Sequence, residues 1–193
     1  MATTVEVLSE AFDEMGTPFI VGHPGGETVE LMEAARNRQV RFILMKQETA
    51  GAMLASTWGE ITGSPGVCVS TRGPGAANMV NGVAHAWMDR APLIAINDQY
   101  PGATLETGMR QVMNQHALFA PITKWQTTIH AKSVRQQIRR AIRVTTSPTP
   151  GPVQFDMPSN ETMNEASGSV AEAPLLPNIV PIEPDRKALE VPL

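Results

Sequence analysis

What most constrains this chain is an alternation. Short apolar runs (Pro18-Phe19-Ile20-Val21, Arg41-Phe42-Ile43-Leu44, Val67-Cys68-Val69-Ser70, Pro92-Leu93-Ile94-Ala95-Ile96-Asn97 and Pro152-Val153-Gln154-Phe155-Asp156) are separated by stretches with helical spacing. Runs this short, bounded by glycine, proline and polar residues, read as strands; an unbroken apolar run is expected where both sheet faces are covered. Strands alternating with helices imply right-handed crossovers and parallel pairing. The expectation is an α/β fold of three layers. A mostly parallel sheet of about six strands runs between Pro18 and Asp156 with helices on both faces, and the runs above place five of the strands.

The intervening segments supply the helices. Val5, Leu8, Phe12 and Met15 recur at helical spacing behind the capping pair Thr3-Thr4, and Gly16 is a stop. Further helices are expected over about 28–37, 49–62 and 76–89, with a short one ending at Phe119. Val134, Ile138, Ala141, Ile142 and Thr145 mark a last helix, whose Arg135, Arg139, Arg140 and Arg143 read as a solvated face. Residues 99–114 show no period and read as a loop over the carboxyl edge of the sheet. Beyond Pro158 the chain turns polar and then proline-rich. We therefore expect one domain over residues 1–160 and an extended linker over 161–193, with the opening of a further helix at Asp185 to Glu190. Trp58 and Trp87 are expected to be buried.

Glu48, in Lys46-Gln47-Glu48-Thr49-Ala50-Gly51, sits where a strand's carboxyl end meets a helix's amino end. In open α/β sheets that edge is where ligands bind. A helix amino end also stabilises any carboxylate by a few tenths to about 1 kcal/mol, so position alone leaves both a catalytic and a plain helix-start reading open. Glycine-bearing turns surround the same edge: Gly22-His23-Pro24-Gly25-Gly26, Gly51, and Gly73-Pro74-Gly75. Glycine lets a backbone approach a flat ligand closely, although strand-to-helix turns also use it for connection alone.

Composition excludes several classes. The 42% apolar and 18% charged shares are those of an ordinary globular protein, and a net charge of −4 without a basic stripe argues against nucleic acid. No run approaches a membrane span, and the first fifteen residues lack a basic secretory n-region, so a cytoplasmic location is expected. The lone Cys68, inside an apolar run, reads as a buried hydrophobe in a reducing compartment. Walker and dinucleotide fingerprints are missing, Ser70 has no nucleophile elbow, and His23, His85, His116 and His130 lack metal-ligand spacing. Asp98, near a strand end, could serve as an acid or base, but without an obvious partner it reads rather as a turn cap.

Taken together, Gly22-His23-Pro24-Gly25-Gly26, Gln47-Glu48-Thr49-Ala50-Gly51, Gly73-Pro74-Gly75-Ala76-Ala77-Asn78, Ala86-Trp87-Met88-Asp89-Arg90-Ala91-Pro92, Pro121-Ile122-Thr123-Lys124-Trp125 and Gly151-Pro152-Val153 carry a resemblance. Over residues 3–160 the chain resembles the pyrimidine-binding, N-terminal domain of thiamine-diphosphate-dependent enzymes of the acetolactate synthase and benzaldehyde lyase group. The resemblance implies that Glu48 is the catalytic acid that hydrogen-bonds N1′ of the cofactor's aminopyrimidine. That bond favours the imino form whose nitrogen deprotonates the thiazolium. Pro24, Gly25, Gly26, Gly73, Pro74, Gly75 and Asn78 would line the cofactor pocket and the adjoining subunit contact. Gln111 would border the reaction centre.

Some residues depart from the family pattern. Gln47 stands where many relatives carry histidine, and His23, in the first glycine loop, would face the substrate. Arg110 replaces a phenylalanine usual in acetolactate synthases; its fork suits a carboxylate, or it is a solvent-facing loop residue. The GDG motif with which such enzymes bind Mg²⁺ and diphosphate does not occur in this sequence. No residue is therefore expected to ligate metal, and thiamine diphosphate would be shared with the diphosphate-binding domain of a second subunit. The implied function is the making or breaking of a carbon–carbon bond next to a carbonyl, on a small molecule of the 2-keto acid class. The implied assembly is a homodimer or higher oligomer, with the linker leading to a missing central domain. As an isolated fragment the chain would be inactive and would self-associate through an exposed apolar face. The alternatives are a separate subunit, a non-catalytic assembly or regulatory partner of such an enzyme, or an unrelated α/β nucleotide-binding module.

Overall fold

The structure, a computed structural model, describes residues 2–108, 110–167 and 176. The elements alternate as the sequence implies: α1 (Thr4–Glu14), β1 (Phe19–His23), a 3₁₀ turn (Gly26–Thr28) running into α2 (Val29–Asn37), β2 (Arg41–Leu44), α3 (Glu48–Thr62), β3 (Gly66–Ser70), α4 (Pro74–Met88) and β4 (Leu93–Gln99). After the 100–114 loop come α5 (Gln115–Phe119), β5 (Trp125–Thr128), α6 (Val134–Thr146) and β6 (Pro152–Pro158). The six strands pair in the order β2-β1-β3-β4-β6-β5, every pairing parallel.

Successive strand side chains point to opposite faces, so each central strand feeds two cores. On one face Leu8 and Phe12 of α1, Leu31 of α2, and Ile138 and Ile142 of α6 pack on Ile20, Val67, Ile94, Val153 and Phe155. On the other, Ala52 and Ala55 of α3, Met79 and Val83 of α4, and Phe119 of α5 pack on Val21, Cys68 and Ala95. Each large side chain so buried contributes about 1.5–3 kcal/mol. Helix α3 owes its close approach to β3 and to α4 to missing side chains. A Cβ on Gly66 would lie 1.9 Å from the Ala55 carbonyl oxygen, and one on Gly82 would lie 2.5 Å from the Ala52 Cβ. Helix α1 starts in a capping box: Glu6 N–H donates to Thr3 Oγ1 (3.4 Å), and Thr3 N–H donates to Glu6 Oε2 (2.7 Å). It ends before Gly16, whose φ of +71° is the left-handed stop.

Four details differ from the sequence reading. β2, expected to be buried, is an edge strand with Leu44 66% exposed, because strand order leaves one of its sides without a neighbour. The sixth strand is Trp125-Gln126-Thr127-Thr128, the opposite edge; its half-exposure accounts for a polar composition that hid it. Trp87 is not buried but 42% exposed in the last turn of α4, with Met88 exposed beside it. Trp58 is half-buried, edge-on to Phe19 at 5.6 Å. Leu54 and Ile61 of α3 are also exposed apolar side chains.

Residues 161–167 still pack on the domain. Thr4 N–H donates to Asn164 O (3.0 Å), Val5 N–H to Thr162 O (3.1 Å) and Ala166 N–H to Ala2 O (2.9 Å). The proline-rich remainder of the expected linker, Leu176 apart, and the helix opening at Asp185 lie outside the described residues. Among the described residues no helix is long and apolar enough to cross a membrane.

Candidate functional site

Parallel pairing brings every strand's carboxyl end to one edge, and the register aligns polar residues there. His23, Ser70, Asn97, Asp156 and Thr128 are partners across β1, β3, β4, β6 and β5. Strand order reverses at β1, which has β2 on one side and β3 on the other. A crevice therefore opens at this switch point, the position where open α/β sheets take ligands. Helix α3, on its way from β2 to β3, begins at this crevice.

Its first residue is Glu48, after an extended Gln47 that makes no side-chain cap. Glu48 is only 7% exposed. Asn78 Nδ2 donates to its Oε2 (3.3 Å), and Thr49 Oγ1 donates to the Asn78 carbonyl, so α3 and α4 hold the carboxylate between them. Oε1 faces the glycine turn before α4: a Cβ on Gly75 would stand 3.2 Å from it and 2.7 Å from Thr71 Cγ2. One carboxylate oxygen is thus engaged by an amide and the other stands against a wall that carries no side chain.

The turn itself is Gly73-Pro74-Gly75. Gly73 has φ +61° and ψ −107°, and its missing Cβ would fall 2.2 Å from the Gln111 carbonyl oxygen. Pro74 opens α4 in the position where its missing N–H costs nothing. On the far side of the crevice the Gly25 N–H donates to Thr28 Oγ1 (3.1 Å), and Thr28 Oγ1 donates to Gly25 O (2.9 Å). Pro24 and Gly25 are half-buried and Gly26 is exposed. His23 is exposed, with Nδ1 2.8 Å from the Met45 carbonyl oxygen. Arg110 and Gln111 are exposed on the 100–114 loop, Gln111 with a φ of +57°. The structure thus joins Glu48, Asn78 and Gly75 directly. Among the described residues no hydrogen bond or ion pair links His23, Arg110 or Gln111 to Glu48.

Sequence reasoning missed a buried polar layer beneath this rim. Asp98 is not a turn cap. Its Oδ2 is 2.7 Å from Arg72 Nε, both side chains are almost solvent-free, and the Arg72 guanidinium lies 3.9 Å over the Tyr100 ring. Asn97 donates to Ser70 Oγ (2.8 Å) and accepts from Gln154 Nε2 (2.9 Å). Asp156 Oδ1 accepts from Gln154 Nε2 (2.8 Å) and Gln115 Nε2 (2.7 Å), and His116 Nε2 stands 3.3 Å from Oδ2. The available signal was Gln154 and Asp156, polar residues at alternate positions of an otherwise apolar run. A cleft of about 450 Å³ opens beside this layer, lined by Tyr100, Leu105, Val112, His116 and Asp156 among others. No group of three metal-capable side chains occurs among the described residues.

Residues 2–118 match the family described as thiamine pyrophosphate enzyme, N-terminal TPP binding domain. The chain belongs to this family. Among relatives in the thiamine pyrophosphate enzyme group, a probable acetolactate synthase large subunit of Methanocaldococcus jannaschii is 35% identical over 156 residues, covering 80% of this chain and 26% of that protein. The chloroplastic acetolactate synthase of Arabidopsis thaliana is 31% identical over 190 residues, covering 96% and 28%. Isozyme 1 large subunit from Escherichia coli is also 31% identical, covering 82% and 28%. The chain therefore spans little more than a quarter of the length of these relatives. A thiamine-diphosphate-dependent 4-hydroxybenzoylformate decarboxylase of Rhodococcus jostii shares the fold, with a TM-score of 0.79 at 23% identity over 86% of this chain and 32% of that one.

Proposed function

We propose that this chain supplies the aminopyrimidine-binding half of a thiamine-diphosphate enzyme that makes or breaks a carbon–carbon bond next to the carbonyl of a 2-keto acid. The observation that carries the reading is Glu48: buried at the amino end of α3, fixed by Asn78 and faced by the side-chain-free wall of Gly75. That donor set suits a flat ring nitrogen that must exchange a proton. When bound, thiamine diphosphate supplies the group that stabilises carbanion character beside the carbonyl.

The chain's own residues bind and orient. Glu48 holds the proton at a carboxyl oxygen facing the ring nitrogen, a general acid–base role of the kind worth about 10²–10⁴ in rate. Asn78 sets the carboxylate's orientation. Gly73, Pro74 and Gly75 form one wall against the ring, and Pro24, Gly25 and Gly26 form the opposite rim. Arg110, exposed on its loop, takes a substrate carboxylate with its fork; Gln111 borders the reacting carbonyl, and His23 faces the substrate from the first loop. Diphosphate and Mg²⁺ are held by a domain of a second subunit, in a homodimer or higher oligomer. The isolated chain is accordingly inactive. Cys68, fully buried, fits a reducing, cytoplasmic setting.

The test is Glu48→Gln in the assembled complex, with bound thiamine measured by thiochrome fluorescence. We expect turnover to fall about 10²–10⁴-fold. Undiminished turnover would assign the chain an assembly or regulatory role, and a wild-type complex without thiamine would overturn the reading altogether.

A further inference from the structure

Gln115, the first residue of α5, is 1% exposed and uses both ends of its amide. Its Oε1 accepts from the Gly73 N–H (2.9 Å), and its Nε2 donates to the Asp98 carbonyl (3.2 Å) and to Asp156 Oδ1 (2.7 Å). A single buried side chain thus joins the turn before α4 to the carboxyl ends of β4 and β6.

The anchor is stiff and the anchored turn is not a standard one. Asp156 is held independently by Gln154 (2.8 Å) and Gln99 (3.4 Å). Gly73 lies outside helical backbone at φ +61°, ψ −107°, although its carbonyl already accepts the first helical bond, from the Ala77 N–H (2.8 Å). Its buried N–H has Gln115 as acceptor, and a buried backbone donor needs one. Two residues on, Gly75 faces Glu48 Oε1, and Asn78 in the next turn donates to Oε2. Moving Gly73 therefore moves both groups that address the carboxylate.

We propose that Gln115 is a positioning residue for the Glu48 site. Its amide relays the fixed Asp156 carboxylate to the Gly73 N–H and so sets where Gly75 and Asn78 meet Glu48. The inference rests on the proposed function for the meaning of the site, but the Gln115–Gly73 link stands on geometry alone.

A leucine would fill the same volume yet leave the buried Gly73 N–H without its acceptor and cut its link to Asp156, which keeps Gln154 and Gln99, and this separates positioning from packing. A glutamate restores the acceptor for Gly73 but sets a second carboxyl against Asp156. That pair must share a proton, because two buried carboxylates in contact do not both ionise. The charged and titratable groups facing this point are Asp156 on β6, Asp98 on β4, Arg72 before α4 and His116 on α5.

The experiment has two readouts. Amide hydrogen exchange on the chain itself follows the Gly73 N–H, and thiamine diphosphate titration on the assembled complex follows affinity against pH. For Gln115→Leu we expect Gly73 exchange faster and cofactor binding weaker, each by about tenfold or more. For Gln115→Glu we expect affinity close to wild type at acid pH and a steeper loss than wild type as pH rises. Unchanged Gly73 exchange together with unchanged affinity in Gln115→Leu would overturn the proposal. If that variant does not fold, a pH profile of Gln115→Glu parallel to wild type overturns it equally. Faster Gly73 exchange with wild-type affinity would leave Gln115 a structural residue and refute its positioning role. A wild-type complex that binds no thiamine diphosphate would sink the proposed function and this inference's link to Glu48.

Discussion

Asp98→Ala is the substitution whose cost follows most directly from the structure. Asp98 Oδ2 lies 2.7 Å from Arg72 Nε, with the two side chains 0% and 6% exposed. Removing one member of a buried pair leaves an uncompensated charge and typically costs about 3–5 kcal/mol. The Tyr100 ring, 3.9 Å below the guanidinium, keeps about 0.5–2 kcal/mol of attraction and places the expected loss at the lower end of that range. In a chain of 193 residues each kcal/mol moves Tm by about 2–4 °C, so a drop of roughly 6–12 °C is expected. Urea unfolding followed by tryptophan fluorescence measures the free energy, with Arg72→Met and the double variant completing the cycle. Arg72→Met alone should also destabilise. The double variant should recover most of the loss, because replacing a whole buried pair with apolar groups is often close to neutral. A single-variant loss below about 1 kcal/mol, or a double variant as unstable as the sum of the singles, would refute the reasoning.

Two further outcomes follow from the site and from α1. Gly75→Ala puts a methyl 2.7 Å from Thr71 Cγ2 and 3.2 Å from Glu48 Oε1. Overpacking of that kind costs about 1–3 kcal/mol, and here part of it is taken up by displacing Glu48. We expect thiamine diphosphate binding in the complex to weaken about tenfold or more; wild-type affinity would show that Gly75 is not a wall of the pocket. Thr3→Ala removes the α1 cap and should lower stability by about 1 kcal/mol in thermal unfolding. The Thr3 N–H holds the Glu6 carboxyl below its ordinary 4.5. Its small contribution to stability is therefore complete above about pH 4.5 and lost as pH falls through the lowered native value. Glu6→Gln should flatten the acid limb of Tm against pH; an unchanged limb would show that the Glu6 charge contributes nothing to stability there.

Much of this molecule is legible along the chain because its determinants are local. Helical spacing in α1, α4 and α6, the capping Thr3 and the stop at Gly16 act over one or two turns, and periodicity reports them directly. Glu48 at the start of α3 and the glycines after β1 and β3 are likewise local, which is why the rim of the candidate site was visible as a pattern. Edge position was not: Arg41–Leu44 read as a strand but as a buried one, and Trp125–Thr128 went unread. Arg41-Phe42-Ile43-Leu44 and Trp125-Gln126-Thr127-Thr128 differ in composition yet occupy equivalent places, since neighbours in space, absent from a one-dimensional pattern, decide burial.

The same division holds at the site. A carboxylate at a strand–helix junction follows from the order of residues alone. What Glu48 can do depends on Asn78, 30 positions away, and on the Gly75 wall against it. Arg72 and Asp98 each look like an isolated charge until β3 and β4 lie side by side. Gln115 stands without any mark at the start of a short helix until β4 and β6 close around it and it reaches Gly73, 42 positions earlier. Short-range periodicity and turn chemistry settle which elements form and which residues stand at their ends. Strand order, which joins residues far apart in the chain, settles which of those ends meet and which polar groups are shut away from water.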